Sequence, residues 1–220
     1  MTPLRPLTPA AEPGSARVFW LVRSMALLPA LLALVALGAA IVLRAPVPFA
    51  LEWQEPAMLE HSIRLAAGDA LYVQPSVEFA PFPYPPLFPL LGALGTQIVG
   101  PSLLALRLVS LLGLVLLLGS LLRTYRGLSG VMVAGWFAAL YAWTGFWLDV
   151  GRVDTLGLGL GATAFALVLS LESRAPARGA GWGVAGAAGL ASALAVLTKQ
   201  TQLGLAVALA LVLLMRAGTR

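Results

Sequence analysis

Residues 25–43 read MALLPALLALVALGAAIVL, nineteen residues without a single charge, and this stretch decides the fold class. An α-helix needs about 20 predominantly apolar residues to cross the hydrocarbon core of a bilayer. The apolar part of a cleaved secretory signal is shorter, about 7–15 residues, and a small-residue cleavage site follows it. The stretch is therefore expected to be a retained membrane anchor.

The composition of the whole chain agrees with a membrane protein. Of its 220 residues, 60% are hydrophobic and 10% are charged, and its mean hydropathy is +0.91, whereas about 25% of the residues in soluble domains are charged. The chain has no cysteine, which excludes disulfides and cysteine-based metal or redox sites. The net charge of +5 comes from basic residues spread singly between apolar runs, so no nucleic-acid partner is expected.

Further stretches with few or no charges predict five more spans, at 101–122, 127–148, 155–171, 179–198 and 200–215. The proline-rich segment 85–100 either crosses the membrane or lies at its interface. With a cytoplasmic N-terminus and no crossing at 85–100, nine basic residues lie inside and five outside. A crossing would move six of the nine outside, against the positive-inside bias. We therefore predict an all-α integral membrane protein with about six transmembrane helices.

This topology also predicts the organisation of the chain. Residues 1–24 form a disordered cytoplasmic tail, 25–215 a multi-span domain with a long outer loop at 44–100, and 216–220 a cytoplasmic end. The expected location is the inner membrane of the cell, in contact with its lipids. Seven of the nine acidic residues fall on the outer face, although only basic residues were used to choose the topology: Glu52, Glu55, Glu60, Asp69, Glu78, Asp149 and Asp154.

Within the outer loop, residues 51–72 read LEWQEPAMLEHSIRLAAGDALY and predict an amphipathic helix lying on the membrane. Pro56 suits the first helical position, Glu55 the N-cap, and Gly68 the stop. His61, on the polar face, is expected to be solvated. A carboxylate at a helix N-terminus is favoured in its ionised form, which suits a base better than an acid.

More ionisable residues are expected at the same side of the membrane. Arg107 lies inside the second predicted span, Lys199 closes the fifth, and Asp149, Arg152 and Asp154 follow the third. Charges at membrane depth are costly, so they usually face a polar cavity and pair with one another. Such a cavity would suit a phosphate-bearing substrate held beside a base. The alternatives are an interfacial salt-bridge cluster without chemistry, snorkelling cations and a purely stabilising cap at Glu55.

Five stretches, in this order, carry a family resemblance: QEPAMLEHSIRLAAGDALY (54–72), FPYPPLFPLL (82–91), GPSLLALRLVS (100–110), GRVD (151–154) and LTKQT (197–201). Together they resemble the GT-C glycosyltransferases, multi-span enzymes that use polyprenyl-phosphate sugars. The likeness is to the bacterial branch related to dolichyl-phosphate-mannose protein mannosyltransferases and to the lipid A aminoarabinose transferase. The resemblance covers about 150 residues of this chain.

The resemblance implies roles for particular residues. Glu55 or Glu52 would act as the base or orienting group toward an acceptor hydroxyl, although Gln54 stands where the family commonly has Asp. Arg152 and Lys199, with Arg107 as a further candidate, would bind the lipid phosphate. The orienting acids would be Asp154, holding Arg152, and Asp149. Family members usually continue through more spans, so the chain resembles an N-terminal portion.

The sequence thus predicts a glycosyltransferase that moves a sugar from a polyprenyl-phosphate donor to an unidentified acceptor on the outer face, with inversion. No cofactor is expected besides this donor substrate, and the residues leave a need for a divalent metal open. The alternatives are an inactive relative that binds lipid-linked sugar and a transporter or channel fragment. A transporter would show inverted repeats and broken helices at mid-membrane, whereas the charges here gather at one interface.

Overall fold

The computed structural model describes residues 13–172 and 180–218. Helix accounts for 75% of it, and no strand occurs in these two ranges. The all-α prediction is therefore confirmed. The helices, in chain order, are α1 (Pro13–Arg44), α2 (Gln54–Ala66), α3 (Leu87–Val99), α4 (Leu103–Tyr125), α5 (Gly127–Ala139), α6 (Val153–Glu172), α7 (Ala180–Thr198) and α8 (Leu203–Gly218), with a 3-10 turn at Gln200–Gln202 before α8.

Four helices are long and apolar enough to cross a membrane: Leu21–Arg44, Leu103–Tyr125, Val153–Leu171 and Gly181–Thr198. They correspond to four of the predicted spans. The predicted spans at 127–148 and 200–215 contain only the shorter apolar helices Gly127–Ala139 and Gln200–Met215. The protein is thus a multi-span membrane protein, and the count of six stays a prediction.

The uncharged run 127–148 is not a single helix, because α5 ends at Ala139 and turns follow it. Gly145 and Phe146 adopt positive φ angles of 69° and 61° there, which a continuing right-handed helix excludes. The low charge of the run therefore does not predict its backbone conformation. Residues 140–152 instead form a connection that carries several buried polar groups toward the start of α6.

The N-terminal prediction also changes, because α1 already begins at Pro13 and residues 13–24 are helical rather than disordered. At the other end, α8 continues to Gly218. Residues 1–12, 173–179 and 219–220 lie outside the described residues, and so do the predictions made for them.

The helices approach one another closely at positions occupied by glycine. Gly113 of α4 lies directly against the backbone of Leu156 in α6, and Gly159 of α6 lies against the carbonyl of Gly113. Gly135 of α5 similarly lies against the backbone of Ala30 in α1. A Cβ at these positions would force the helices apart, so the glycines allow the close helix packing.

Four helix termini meet at one end of the bundle, called the site end here: the end of α1, the beginning of α4, the beginning of α6 and the end of α7. The helices α2 and α3 pack on this end. Their contact with α4 and α6 is an apolar cluster of buried side chains. Its members include Met58, Phe88, Leu106, Val153 and Leu156.

α3 stays near the site end over its whole length. The segment before it is tied to the turn after α7, since Gln200 Nε2 donates to the carbonyl of Pro83 over 3.2 Å. Its other end leads through residues 100–102 into the first turn of α4. Its 13 residues extend about 20 Å, less than the ~30 Å of a hydrocarbon core.

α2 differs from the predicted surface helix. It begins at Gln54, with Trp53 as N-cap and no side-chain cap, so Glu55 lies inside its first turn. It ends at Ala66, and the positive φ of 84° at Gly68 agrees with the predicted stop. His61 was predicted to be solvated, but it is 1% exposed. The reason is that the segment following α2 folds back and places the rings of Phe79 and Phe82 against the imidazole.

Candidate active site

Arg107 and Glu55 form a sealed ion pair at the site end. Arg107 Nε donates to Glu55 Oε1 over 2.9 Å and Nη2 donates to Oε2 over 2.9 Å. Both side chains are 0% exposed. Arg107 was predicted to bind a substrate phosphate, but the structure places it where a ligand does not reach it.

The remaining N–H groups of Arg107 bind backbone carbonyls of the chain that leaves α1. The acceptors are Arg44 at 3.0 Å, Ala45 at 3.2 Å, Val47 at 2.6 Å and Phe49 at 3.0 Å. Because carbonyls at the end of a helix lack partners within it, a cation there satisfies them and complements the helix dipole. With Glu55, these carbonyls occupy all five N–H donors of the guanidinium.

Glu55 accepts two further hydrogen bonds, both from backbone N–H groups at 2.8 Å. Leu51 donates to Oε2 and Gly151 donates to Oε1. Burial by itself raises the pKa of the Glu55 carboxyl, but the hydrogen bonds from Arg107, Gly151 and Leu51 outweigh burial and hold this pKa below its usual value. A carboxylate that is fully enclosed and weakly basic is poorly suited to take a proton from a substrate. Its visible role is to fix Gly151, the residue before Arg152.

Glu52, Arg152, Asp154 and Lys199 form a second cluster, named the Glu52 cluster here. Arg152 Nη1 donates to Glu52 Oε1 over 2.7 Å, and Arg152 Nε donates to Asp154 Oδ2 over 3.0 Å. Lys199 Nζ binds the other oxygen of Asp154. The four side chains are 7%, 7%, 21% and 23% exposed in the order given. Unlike the sealed pair, this cluster therefore opens to the surroundings.

Three separate parts of the chain build the Glu52 cluster. Glu52 precedes α2, Arg152 and Asp154 stand at the beginning of α6, and Lys199 follows α7. Asp154 lies in the first turn of α6, where the helix dipole favours a carboxylate. Glu52 Oε2 also accepts the N–H of Gln54 over 2.8 Å. The sequence predicted that these charges meet, and the structure brings them together.

Arg152 is positioned by two residues that sequence reasoning missed. Ser110 Oγ donates to the carbonyl of Arg152 over 3.2 Å, and the guanidinium carbon lies 4.0 Å from the ring centre of Trp147. Ser110 lies three residues after Arg107 in the stretch 100–110. The two residues therefore share one side of the helix, and this placement could have identified Ser110 as a member of the site. For Trp147, the sequence context carried no sign of the cation–π contact.

Asp149 lies apart from the Glu52 cluster, in a third group. It pairs with Arg44 Nε at 3.0 Å and accepts the hydroxyl of Tyr141 over 2.7 Å. Burial, together with the hydrogen bond to Asp149, raises the pKa of the Tyr141 hydroxyl. Arg44 also donates to the carbonyl of Phe146 over 3.2 Å. This group ties the end of α1 to residues 140–152, so Asp149 orients that connection rather than a substrate-facing cation.

His61 fixes the segment that leads to α3. Its Nε2 accepts the N–H of Phe82 over 2.8 Å, and its Nδ1 lies 2.6 Å from the carbonyl of Ala57. These two contacts assign the neutral tautomer with the proton on Nδ1. Among the described residues, no three His, Asp or Glu side chains are placed to hold a metal ion.

The structure is a bundle of membrane-length helices whose termini gather paired carboxylates and cations at one end, the arrangement expected of ionisable groups in a membrane protein with a functional polar site. The chain belongs to the dolichyl-phosphate-mannose-protein mannosyltransferase family, whose model matches residues 83–220. Members of this family are membrane glycosyltransferases that use lipid-linked sugar donors. Comparisons with curated proteins and with solved structures found no significant match.

The matched range contains three members of the Glu52 cluster, Arg152, Asp154 and Lys199, and it contains Arg107. It begins after Glu52 and Glu55, so the family match does not include either acid of the outer loop. The predicted glycosyltransferase family is confirmed. The finer branch, the donor, the acceptor and the roles of single residues remain proposals.

Proposed function

We propose that this protein transfers a sugar from a polyprenyl-phosphate donor to an acceptor at the outer face of the inner membrane, with inversion at the anomeric carbon. The observation that carries the proposal is the Glu52 cluster, where two carboxylates and two cations from distant parts of the chain meet at a partly open site. Family membership supports the donor class.

Arg152 and Lys199 are proposed to bind the phosphate of the donor. Lys199 is 23% exposed and Arg152 is 7% exposed, and Asp154 holds both, each on a different oxygen of its carboxylate. Preorganised cations of this kind stabilise charge that develops on a leaving group. Arg107 has no part in this step because its donors are already used.

Glu52 is proposed to take the proton of the acceptor hydroxyl. Of the two acids that the sequence left open, Glu52 is the less enclosed, at 7% exposed and in a cluster that reaches the surface, whereas Glu55 is 0% exposed and bound to Arg107. As the hydroxyl oxygen attacks the anomeric carbon, its proton passes to the Glu52 carboxylate. The bond from the anomeric carbon to the phosphate oxygen breaks, and its electron pair leaves with the polyprenyl phosphate.

The proposal is tested with the purified chain in lipid nanodiscs and a panel of polyprenyl-phosphate sugars, with release of polyprenyl phosphate as the readout. Arg152→Gln and Lys199→Gln are expected to lose release, while Arg123→Gln is the matched control. Arg123 is exposed and lies in the last turn of α4, at the end opposite Arg107. Release that is unaffected by either cluster substitution would overturn the proposal.

A second candidate function is binding of a lipid-linked sugar without transfer. It is favoured by Gln54, an amide at the position where the resemblance leads one to expect an acid. Parallel binding and transfer measurements on the same preparation separate the two functions. Saturable donor binding that depends on Arg152, without turnover for any acceptor-containing membrane extract, would favour the binding protein.

A further inference from the structure

The charges of the Glu52 cluster cancel. Glu52 and Asp154 contribute two negative charges, and Arg152 and Lys199 contribute two positive charges. A polyprenyl-phosphate sugar is a phosphodiester with one negative charge. A neutral set of paired groups offers this anion no net attraction, so a carboxylate has to release its cation before the phosphate is bound firmly.

Glu52 is the carboxylate that is held less firmly. It pairs with one cation, Arg152, whereas Asp154 pairs with both Arg152 and Lys199. Asp154 also stands in the first turn of α6, where the helix dipole favours its charge. Glu52 lies outside the helices, in the segment that leads into α2. Exchange of a phosphate for Glu52 therefore costs less than exchange for Asp154.

We propose that the donor phosphate displaces Glu52 from Arg152, so that the carboxylate becomes available to the acceptor hydroxyl only once the donor is bound. This inference rests on the proposed function and adds an order of events to it. In the exchange, the ion pair between Arg152 and Glu52 breaks and one between Arg152 and the phosphate forms. No proton moves and no covalent bond changes in this step.

The geometry keeps the released carboxylate near the reaction. Glu52 Oε2 accepts the N–H of Gln54 over 2.8 Å independently of the pair with Arg152. The side chain thus turns about an oxygen that stays anchored, and it remains beside the phosphate. While the pair with Arg152 holds, the same carboxylate is engaged by the guanidinium. The protein therefore withholds its base from acceptor hydroxyls until there is a donor to attack.

The inference predicts that removal of the charge at position 52 tightens phosphate binding. The experiment measures binding of a polyprenyl monophosphate to the purified chain in nanodiscs, with the uncharged polyprenol as blank. Glu52→Gln is expected to bind about threefold to tenfold more tightly than the natural chain, because the phosphate no longer competes with a carboxylate for Arg152. Glu52→Ala is expected to change affinity in the same direction.

Glu60→Gln is the matched control. Glu60 is exposed on α2, so its replacement changes the net charge equally without opening an ion pair of the cluster. Unchanged affinity in this variant, with a gain in Glu52→Gln, supports the inference. Equal gains in both variants would overturn it, because the effect would then come from net charge alone.

Arg152→Gln separates the inference from the proposed function. If this variant weakens binding while Glu52→Gln binds equally or less tightly than the natural chain, the displacement idea is wrong and the phosphate site stands. If the natural chain does not bind polyprenyl phosphate, or if Arg152→Gln has no effect, the proposed function fails and the inference fails with it.

Discussion

Two carboxylate–arginine pairs lie side by side at the site end and differ in what surrounds them. Glu55 and Arg107 are 0% exposed, and backbone groups occupy their remaining bonding positions. Glu52 and Arg152 are each 7% exposed, and Arg152 shares its charge with Asp154. The two acids are three residues apart in the chain, yet the first pair is fully enclosed and the second belongs to a cluster that reaches the surface through Asp154 and Lys199. Burial and hydrogen bonding, rather than residue type, distinguish the two pairs.

The largest expected effect concerns the sealed pair. Glu55→Gln leaves Arg107 charged and buried without its carboxylate, which should lower the free energy of unfolding by about 3–5 kcal/mol. Thermal unfolding in detergent measures this loss. Glu60→Gln on the same helix serves as control and should change stability little. A Glu55→Gln protein as stable as its control would show that the pair is not needed for the fold.

Arg152→Gln removes the cation of the open pair, and here the larger expected loss is in transfer activity rather than in stability. Transfer is expected to fall about a hundredfold or more, since one preorganised charge that stabilises the leaving group is lost. Stability should fall less than in Glu55→Gln, because Asp154 keeps Lys199 as a partner and the cluster is less enclosed than the sealed pair. Rates of polyprenyl phosphate release, measured beside thermal unfolding, give both values. A loss of stability as large as that of Glu55→Gln would erase the distinction between the two pairs.

The sealed pair also predicts a pH dependence. Because the folded-state pKa of Glu55 is lowered from 4.5, its ionisation contributes stability that is fully present above about pH 4.5 and is lost as pH falls through the folded-state pKa. The stability difference between the natural chain and Glu55→Gln should therefore shrink as pH falls below that value. Unfolding midpoints of both proteins between pH 3 and 7 measure it. A difference that stays constant across this range would contradict the assignment.

Ser110→Ala tests whether α4, the helix that carries Arg107, also positions Arg152. Loss of the hydroxyl that holds the carbonyl of Arg152 should weaken donor binding severalfold, in line with the ~1 kcal/mol of one hydrogen bond. Ser120→Ala is the control on the same helix, because Ser120 Oγ donates to the carbonyl of Leu116, away from the cluster. Equal donor affinities in the two variants would leave Ser110 without a positioning role.

The smallest expected effect concerns Trp147. Trp147→Leu removes the ring beneath Arg152, and an exposed cation–π contact contributes about 0.5–1 kcal/mol, so donor affinity should fall about threefold. Trp143→Leu is the control in the same connection, since Trp143 is 88% exposed. Titration of both variants with polyprenyl phosphate measures the two affinities. A similar loss of affinity in both would assign the effect to the membrane interface.

Much of the fold followed from local properties of the sequence. The length and low charge of the apolar runs predicted the four membrane-length helices, because these properties alone decide whether a helix suits a bilayer. Where the backbone turns was harder to predict. The uncharged run at 127–148 hides the end of α5 at Ala139, since positive φ angles at Gly145 and Phe146 do not require polar residues.

The members of the site were predictable, but their pairing was not. The free-energy cost of placing a charge at membrane depth already implied that Arg107, Arg152 and Lys199 would pair with carboxylates. Which carboxylate each cation binds depends on the path of residues 44–53 and 140–152, and no local pattern encodes those paths. His61 illustrates the same limit, because a later segment covers it and reverses the exposure expected from its helix face.

The sealed pair joins residues that are far apart in the chain, so its contacts can form only in a certain order during synthesis. Glu55 and Arg107 are 52 positions apart, and Glu55 and Gly151 are 96 apart. The carbonyls at the end of α1 and the Glu55 carboxylate are therefore synthesised before Arg107, their common partner, and they lack this partner until α4 has been made. The Glu52 cluster forms later still, when Lys199 arrives after α7. A translating chain thus completes the cluster that contains Glu52, the proposed base, only after seven of the eight described helices have been made.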